Sequence, residues 1–331
     1  MDRVKIERVE AALDSLAPHE KECRMCPREC GVDRKAGEKG FCGSGSSATL
    51  SHAVLHFGEE PVLSGCEDCA REKPAQEPRR CGSGALFFSG CNLKCCFCQN
   101  FQISWLHWGR RVSERDLSSE MLGLQEKRAL NINCVSPSHI LVPILRALRR
   151  ALREGLDLPL VYNSNAYEKP DVLKHLEDIV DIYLPDCKYF SPTLSQRYSQ
   201  ARDYFRWASA ALEEMHRQQP RLVYDENGIA QKGLIIRLLV LPGQEKDAEI
   251  ILEWIAHNLS RSVGISVMSQ FCPCFKAPAE LRRPLDPQGY QNIVERALHM
   301  GFEELFIQPA AFPAEDHRIP DFSRKDPFEW K

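Results

Sequence analysis

Short apolar runs alternate with segments of helical period along most of the chain after residue 84. The runs predict six buried strands and a candidate seventh, at residues 85–89, 132–135, 159–163, 181–184, 233–241, 264–269 and 304–308. Apolar residues at helical spacing predict helices between them, at residues 139–154, 172–180, 203–218, 247–259 and 287–300. Apolar strands that alternate with helices favour parallel pairing through right-handed crossovers. We therefore expect an α/β fold.

The number of strand–helix units favours a partial (β/α)6 TIM-like barrel. An open doubly wound sheet has the same alternation, so periodicity alone leaves both architectures open. Residues 1–82 have few long apolar runs, and residues 311–331 are rich in proline and charge. The sequence therefore predicts a small cysteine-rich module at 1–82, a barrel domain at 83–310 and a C-terminal tail at 311–331.

Composition changes this picture chiefly through cysteine, which occurs 15 times in 331 residues. The formal net charge of -3 gives no general reason to expect binding to nucleic acid or to an anionic membrane. Neither a signal segment nor a long apolar stretch is recognisable, so we expect a cytoplasmic protein that does not enter a membrane. In a reducing cytoplasm, clustered cysteines favour metal or cluster ligation over disulfides.

The densest cysteine motif directly follows the first predicted strand. Cys91, Cys95 and Cys98 form C-x3-C-x2-C within GSGALFFSGCNLKCCFCQN. A (β/α) barrel places its chemistry at the carboxyl ends of its strands. A [4Fe-4S] cluster usually takes four thiolates, so three leave one iron open for an outside ligand. The alternative is a structural zinc site with Cys96 nearby, although we interpret Cys96 as a packed thiol outside the motif's register.

This motif resembles that of the radical S-adenosylmethionine (SAM) superfamily. Further segments are similar to the PflX-type branch related to pyruvate formate-lyase activating enzyme: CRMCPRECGVDRKAGEKGFCG, FGEEPVLSG, IIRLLVLPG and ISVMSQFCPCFKA. The resemblance implies that Cys91, Cys95 and Cys98 ligate a [4Fe-4S] cluster whose open iron binds SAM. Reductive cleavage of SAM would then give methionine and a 5′-deoxyadenosyl radical that abstracts hydrogen from a substrate.

The resemblance also implies partners for this oxidoreductase chemistry. A reducing protein such as flavodoxin or ferredoxin would supply the electron. The target would be a glycyl radical enzyme, another peptide or a small molecule. The competing interpretation is a non-catalytic iron-sulfur or zinc protein that carries electrons or acts as a binding scaffold.

Polar residues at the other predicted strand ends are candidates to hold SAM. By resemblance, Phe97 packs near the adenine, and Arg237 in an R-x4-P-G strand binds the SAM carboxylate. A structural salt bridge is the alternative for Arg237, because a buried guanidinium needs a carboxylate. Asn163 and Asn165 are candidates for the SAM ribose, although asparagine after a strand is as often a turn former.

Asp186 and Lys188 resemble the D-x-K element that lies near the substrate peptide and a monovalent cation in activating enzymes. The alternative is an ordinary surface ion pair.

Two strand ends depart from the superfamily pattern. The second strand commonly ends in a Gly-Gly-Glu type motif that receives the SAM amino group, but here it ends in CVSPSH. Ser136 is our candidate replacement, with Ser138 and His139 as alternatives. The sixth strand lacks the histidine that activating enzymes place beside SAM, and Gln270 lies in that neighbourhood. These departures leave the substrate open.

Seven more cysteines precede the motif. Cys23, Cys26, Cys30 and Cys42 form C-x2-C-x3-C-x11-C, which suffices for a tetrahedral zinc or an auxiliary iron-sulfur cluster. A second set lacks one ligand, for which His52, His56 or another cysteine is a candidate; it consists of Cys66, Cys69 and Cys81. Metal binding by these residues is favoured over free thiols.

An acidic pair, Glu59-Glu60, precedes Pro61. Two adjacent carboxylates are candidates for general acid–base catalysis. A solvated turn is the favoured interpretation of this segment.

Overall fold

The computed structural model describes residues 3–65, 81–309 and 319–328. The strands in these residues are β1 (Thr49–His56), β2 (Ser83–Phe88), β3 (Arg110–Arg111), β4 (Ile132–Val135), β5 (Leu160–Ser164), β6 (Ile182–Pro185), β7 (Val223–Tyr224), β8 (Ala230–Leu239), β9 (Gly264–Met268) and β10 (Glu304–Ile307). The α-helices in the same ranges are α1 (Arg3–Leu16), α2 (Pro61–Ser64), α3 (Phe101–Ser104), α4 (Glu114–Glu126), α5 (Leu141–Arg153), α6 (Pro170–Lys174), α7 (Pro192–Ser199), α8 (Tyr204–Gln218), α9 (Glu245–Asn258) and α10 (Pro287–His299).

The strands form one mixed sheet in the order β10-β9-β8-β6-β5-β4-β2-β1-β3, with β7 paired to β8. From β2 to β10 the neighbours on this path are parallel and follow one another in chain order. A doubly wound sheet reverses its strand order at a switch point, and this sheet does not. The α/β fold is therefore confirmed. No pairing joins β10 to β1 or β3 in the described residues, so barrel closure stays a prediction.

The seven predicted strands all form, but the edge of the sheet differs from the expectation. β1 pairs antiparallel with β2, and β3 pairs antiparallel with β1. The pattern of β1 gave no clear signal because most of its side chains are half-buried. The predicted helix at residues 172–180 is shorter than expected, since α6 ends at Lys174.

The main hydrophobic core lies between the helices and one face of the sheet. Leu86, Tyr183 and Ile236 project into it from three strands. The amino-terminal helix α1 joins the same core through Val9 and Leu16, which are fully buried, and Lys5 donates a hydrogen bond to Asp181. The apolar stripe of α1 is thus covered by the helices of the α/β domain, which explains why this short helix forms.

The opposite face of β1 and β2 is covered by residues 319–328. Phe322 is 5% exposed and packs with Phe87 and Ile103. Its backbone N–H donates to Gln102 Oε1 at 2.8 Å. This part of the tail is therefore packed against the sheet. In the described ranges no helix has the length and apolar character needed to span a bilayer.

Candidate functional site

The loop that carries the cysteine motif begins where β2 ends. Gly90 has φ +88°, and a Cβ atom there would lie 2.6 Å from the carbonyl oxygen of Cys42, so only glycine fits. The buried Asn92 donates from Nδ2 to the Tyr167 carbonyl at 2.7 Å and accepts from Asn165 Nδ2 at 2.8 Å. These bonds fix the loop against the segment that follows β5.

Each thiol of the motif has a polar neighbour. Asn165 Nδ2 lies 3.4 Å from the Cys91 sulfur, and Ser199 Oγ lies 3.0 Å from the Cys95 sulfur. Ser104 Oγ lies 3.2 Å from the Cys98 sulfur. Such contacts orient metal ligands and tune their basicity.

The three thiols are also close enough to affect one another electrostatically. Burial, and then Cys95, raise the pKa of Cys91 to about 11. The same two causes raise the pKa of Cys98 to about 12. Three buried sulfurs that resist becoming anions on their own suit a cationic, thiophilic group, and a [4Fe-4S] cluster takes one thiolate per iron.

A single metal ion fits this loop less well. Within residues 3–65, 81–309 and 319–328, no three histidine, cysteine, aspartate or glutamate side chains are placed to hold one ion. The described geometry therefore gives no support to the alternative of a structural zinc at Cys91, Cys95 and Cys98. A multi-iron cluster is not subject to this test, because its ligands bind different irons.

Cys96 has different neighbours from the three motif thiols. Burial, and then Cys95 and Glu280, raise its pKa to about 11. Its backbone N–H donates to the Tyr198 carbonyl at 2.8 Å, and its own carbonyl accepts from the Lys276 N–H at 2.9 Å. Cys96 thus lies against α7 and the segment after β9, as a packed thiol would.

Phe97 is 6% exposed and is surrounded by other rings. The ring centroids of Phe97 and Phe271 are 5.5 Å apart, and those of Phe97 and Tyr198 are 6.4 Å apart. The structure thus places Phe97 in an aromatic cluster beside the cysteine loop. Its contact with adenine stays a prediction.

Asp186 and Lys188 follow β6 and lie beside the cysteine loop. Lys188 Nζ donates to Asp186 Oδ2 at 2.6 Å, and the two side chains are only 16% and 25% exposed. Burial opposes the charge of Lys188, but Asp186, and then Cys95, raise its pKa. The interpretation as a surface pair is therefore wrong, because these residues follow a central strand of the sheet.

Arg237 on β8 is bound by the acidic pair that precedes α2. Its Nε donates to Glu60 Oε1 at 2.8 Å and its Nη2 to Glu60 Oε2 at 2.6 Å, while Nη2 also contacts Glu59. The guanidinium therefore has the partners of a structural salt bridge. A role in binding the SAM carboxylate stays a prediction.

Glu59 and Glu60 do not lie in a solvated turn, so that interpretation was wrong. Their side chains are both 6% exposed. The start of α2 at Pro61 directs them over the sheet to Arg237. Although burial raises it, the pKa of Glu60 is lowered overall by this guanidinium.

The end of β4 carries three candidates for the SAM amino group, and two of them are already engaged. Ser138 donates a hydrogen bond to Glu168, and the His139 ring donates from Nε2 to the Ser89 carbonyl at 2.9 Å. Ser136 has φ +55°, and its N–H donates to the Asn163 carbonyl at 2.7 Å. The structure thus brings Ser136 and Asn163 together at adjacent strand ends.

Gln270 lies between the cysteine loop and the segment after β10. Its carbonyl oxygen accepts from Gln99 Nε2 at 3.4 Å, and its side-chain oxygen accepts from Gln308 Nε2 at 3.3 Å. Gln270 is therefore close to the loop that carries the motif. A direct contact with SAM stays a prediction.

Glu168 is a residue that the sequence analysis missed. It is 1% exposed, and burial raises its pKa to about 7. Its position in the segment after β5, close to Asn163 and Asn165, was the available signal. Its hydrogen bond from Ser138 links the ends of β4 and β5.

The first cysteine set surrounds a buried arginine. Arg34 Nη2 donates to the Cys42 sulfur at 3.5 Å. Burial lowers the pKa of Arg34, but Cys42 and Cys23 raise it overall. Burial also raises the pKa of Cys26 to about 12. Together with the absence of a single-ion site in the described ranges, this geometry gives no support to an additional zinc at Cys23, Cys26, Cys30 and Cys42.

The second cysteine set falls largely outside the described residues. Cys66 and Cys69 lie there, and Cys81 is half-buried before β2. The histidines that were considered as completing ligands contact the tail instead. His52 donates from Nε2 to the Arg324 carbonyl at 2.8 Å, and the rings of His56 and Phe328 are 4.1 Å apart.

We expect the stability of the fold to depend on the neutral form of His139. Burial lowers the pKa of His139 to about 4, against about 6.5 for an unfolded histidine. The unfolded state therefore binds more protons between these values. The contribution of His139 is complete above pH 6.5 and is lost as the pH falls toward 4, by up to about 1.4 kcal/mol per pH unit.

His139→Gln tests this dependence, since glutamine keeps an N–H donor but does not titrate. Urea unfolding at several pH values between 4 and 7 should give a flatter pH dependence for this variant. Equal pH slopes in the two proteins would contradict the prediction.

Comparison with known proteins supports a family assignment. No protein-family model matches the chain. The solved structure of Streptococcus suis SuiB bound to precursor peptide SuiA is similar with a TM-score of 0.48 and 10% sequence identity, over 66% of this chain and 46% of the SuiB chain. This chain thus matches less than half of the SuiB chain.

A curated relative is considerably more similar in sequence. The uncharacterized protein MJ0674 of Methanocaldococcus jannaschii is 31% identical over 288 residues, which cover 84% of this chain and 74% of the relative. This chain therefore belongs to the same protein family as MJ0674 of Methanocaldococcus jannaschii.

Proposed function

We propose that this chain is a radical SAM enzyme in which Cys91, Cys95 and Cys98 hold a [4Fe-4S] cluster. The observation that carries the proposal is the grouping of three buried thiols in one loop at the carboxyl end of β2. These thiols have Lys188 as a neighbouring cation, whereas Cys96 has Glu280 and Arg197. When bound, the cluster and SAM would supply a 5′-deoxyadenosyl radical for hydrogen abstraction.

The residues around the loop have distinct roles in this proposal. Asn92 and Asn165 hold the loop in place, and the hydroxyls of Ser104 and Ser199 donate to ligand sulfurs. Donors of this kind lower the basicity of a thiolate and so influence the reduction potential of a cluster. The buried Lys188 adds a positive charge that favours the thiolate form of the ligands.

SAM would bind at the strand ends next to the loop. Ser136, Asn163 and Gln270 lie at these ends, and Phe97 lies beside them in its aromatic cluster. Arg237 would bind the SAM carboxylate only if that carboxylate shared or displaced the contact with Glu59, because two carboxylates already hold the guanidinium. Arg237 therefore has the weakest case among the proposed SAM contacts.

The substrate class stays open in this proposal. A glycyl radical enzyme, another peptide and a small molecule are all consistent with a radical formed at the strand ends. A flavodoxin or ferredoxin would supply the electron. An auxiliary iron-sulfur cluster at Cys23, Cys26, Cys30 and Cys42 is a further proposal, testable by iron and zinc analysis of the intact chain.

The test is anaerobic reconstitution with iron and sulfide, followed by dithionite and SAM. We expect 5′-deoxyadenosine and methionine in equal amounts, and neither product when dithionite is omitted. A fully formed cluster that yields no 5′-deoxyadenosine would contradict the enzyme proposal. It would favour an iron-sulfur protein that carries electrons or acts as a scaffold.

A further inference from the structure

Positive charges and aromatic rings alternate in a row beside the cysteine loop. The guanidinium carbon of Arg28 is 3.8 Å from the centroid of Phe41, and Lys94 Nζ is 5.8 Å from the same centroid. Lys94 Nζ is also 5.1 Å from the ring of Trp105, which has Lys276 Nζ at 4.8 Å. We define the cationic row as Arg28, Phe41, Lys94, Trp105, Lys276 and Phe275.

The cationic row rests directly on the backbone of the cysteine loop. Arg28 Nε donates to the Asn92 carbonyl at 2.9 Å, and Trp105 Nε1 donates to the Cys95 carbonyl at 3.1 Å. The Lys276 N–H donates to the Cys96 carbonyl at 2.9 Å. The row thus forms the outer side of the loop whose sulfurs are the proposed cluster ligands.

The charges of the row are not neutralised by the protein itself. In the described part of the chain, Arg28, Lys94 and Lys276 form no ion pair with a carboxylate, whereas nearby Lys169 pairs with Glu29 and Arg197 with Glu280. Lys94 and Lys276 approach the same indole ring, so two like charges are held close together. Repulsion of this kind is relieved when an anionic surface binds.

Further groups extend this surface with the same character. Burial lowers the pKa of His107, and Lys94 and Lys39 lower it further, which places these two lysines near the imidazole. Leu106 and Trp108 on the adjoining segment are 50% and 41% exposed. The surface therefore combines positive charge with exposed apolar area, while the whole chain carries a net charge of -3.

We propose that the cationic row is the docking surface for an acidic electron-donor protein of the flavodoxin or ferredoxin class. This inference rests on the proposed function, since a [4Fe-4S] cluster that cleaves SAM must first accept an electron. One electron would pass from the donor's reduced cofactor, which is oxidised, to the cluster, which is reduced. Docking at the row would bring the donor against the loop that carries Cys95.

The rings of the row argue against single-stranded nucleic acid as the partner. Bases stack on open aromatic faces in such complexes. Here Phe275 already stacks on Phe101, with centroids 4.7 Å apart and planes at 11°, and Trp105 has two ammonium groups near its ring. The charges of the row are exposed to a partner, but its ring faces are largely covered by the protein.

The experiment compares the wild-type protein with a Lys94→Glu/Lys276→Glu variant. Calorimetric titration with a negatively charged bacterial flavodoxin should show about tenfold weaker binding for the variant and a weaker dependence on salt. Lys246→Glu on α9 is the matched control, since that lysine is 75% exposed at its side chain and lies outside the row. Its affinity should equal that of the wild type.

A kinetic measurement separates this inference from the proposed function. The rate of cluster reduction by reduced flavodoxin, followed as loss of visible absorbance, should fall about tenfold in the variant. Dithionite should reduce both proteins alike. If the wild-type protein forms no reducible cluster, the proposed function fails, whereas normal reduction with equal flavodoxin affinity in both proteins overturns the docking surface alone.

Two further arms keep the outcome unambiguous. If Lys94→Glu lowers the cluster content, Lys39→Glu/Lys276→Glu changes charges outside the loop and should give the same loss of affinity. An oligothymidine titration tests the alternative partner. Binding of that oligonucleotide more tightly than flavodoxin, with loss in the same variant, would overturn the proposal in favour of nucleic acid.

Discussion

Replacing Cys95 by alanine is expected to reduce 5′-deoxyadenosine formation more than about 100-fold, because even indirect partners of a metal ligand typically contribute 10–100-fold. Cys95 interacts electrostatically with both Cys91 and Cys98 and accepts a hydrogen bond from Ser199. Its loss would leave two thiolates in the loop, too few to retain a four-iron cluster. Iron and sulfide content, measured with the reaction product, should fall together.

Cys96→Ala is the matched control for this substitution. It removes the neighbouring thiol of the same loop, whose surroundings are α7 and the segment after β9. We expect cluster content and product yield within a few-fold of the wild type. Loss of the cluster in Cys96→Ala, with retention in Cys95→Ala, would show that our choice of ligands is wrong.

Removing the carboxylate of Glu60 is expected to destabilise the fold by about 3 kcal/mol. Breaking a buried ion pair by deleting one partner leaves an uncompensated charge and typically costs 3–5 kcal/mol. Arg237 would keep only its contact with Glu59, and its own side chain is 12% exposed. Urea unfolding of Glu60→Ala measures the loss. Glu249→Ala on α9, which breaks an exposed pair with Lys246, should cost less than about 0.5 kcal/mol.

The sign of the pH dependence follows from the lowered pKa of Glu60. The contribution of the pair is complete above the ordinary glutamate pKa of about 4.3 and is lost as the pH falls through the lower folded value. In a double-mutant cycle, Arg237→Ala should cost much less in the Glu60→Ala background than alone. Additive effects would contradict a direct coupling between these residues.

The parallel sheet could be predicted because its strands are buried on both faces. Runs such as residues 233–241 and 264–269 are apolar almost throughout, which is typical of such strands. β1 has mostly half-buried side chains, and its pairing with β2 depends on a surface that sequence periodicity does not describe. α1 is stabilised by the helices of the main core, and that contact is equally invisible in the local pattern.

The candidate site was predictable where it is local and not where it depends on distant residues. Cys91, Cys95 and Cys98 share one short loop, so their spacing alone indicated a ligand set. Arg237 and Glu60 are 177 residues apart, and the sequence suggested a need for a carboxylate without identifying it. The polar partners of the sulfurs, such as Ser199, come from helices whose placement only the fold determines.

Both ends of the described chain pack against its middle, and this has a consequence for folding. Lys5 contacts Asp181 across 176 residues, and Phe322 packs on a strand that begins at Ser83. Contacts between residues so far apart in sequence slow folding, because long loops must close before the contacts form. During synthesis, one face of β1 and β2 would remain uncovered until the last residues emerge. We therefore expect truncation before Phe322 to favour aggregation through this exposed surface.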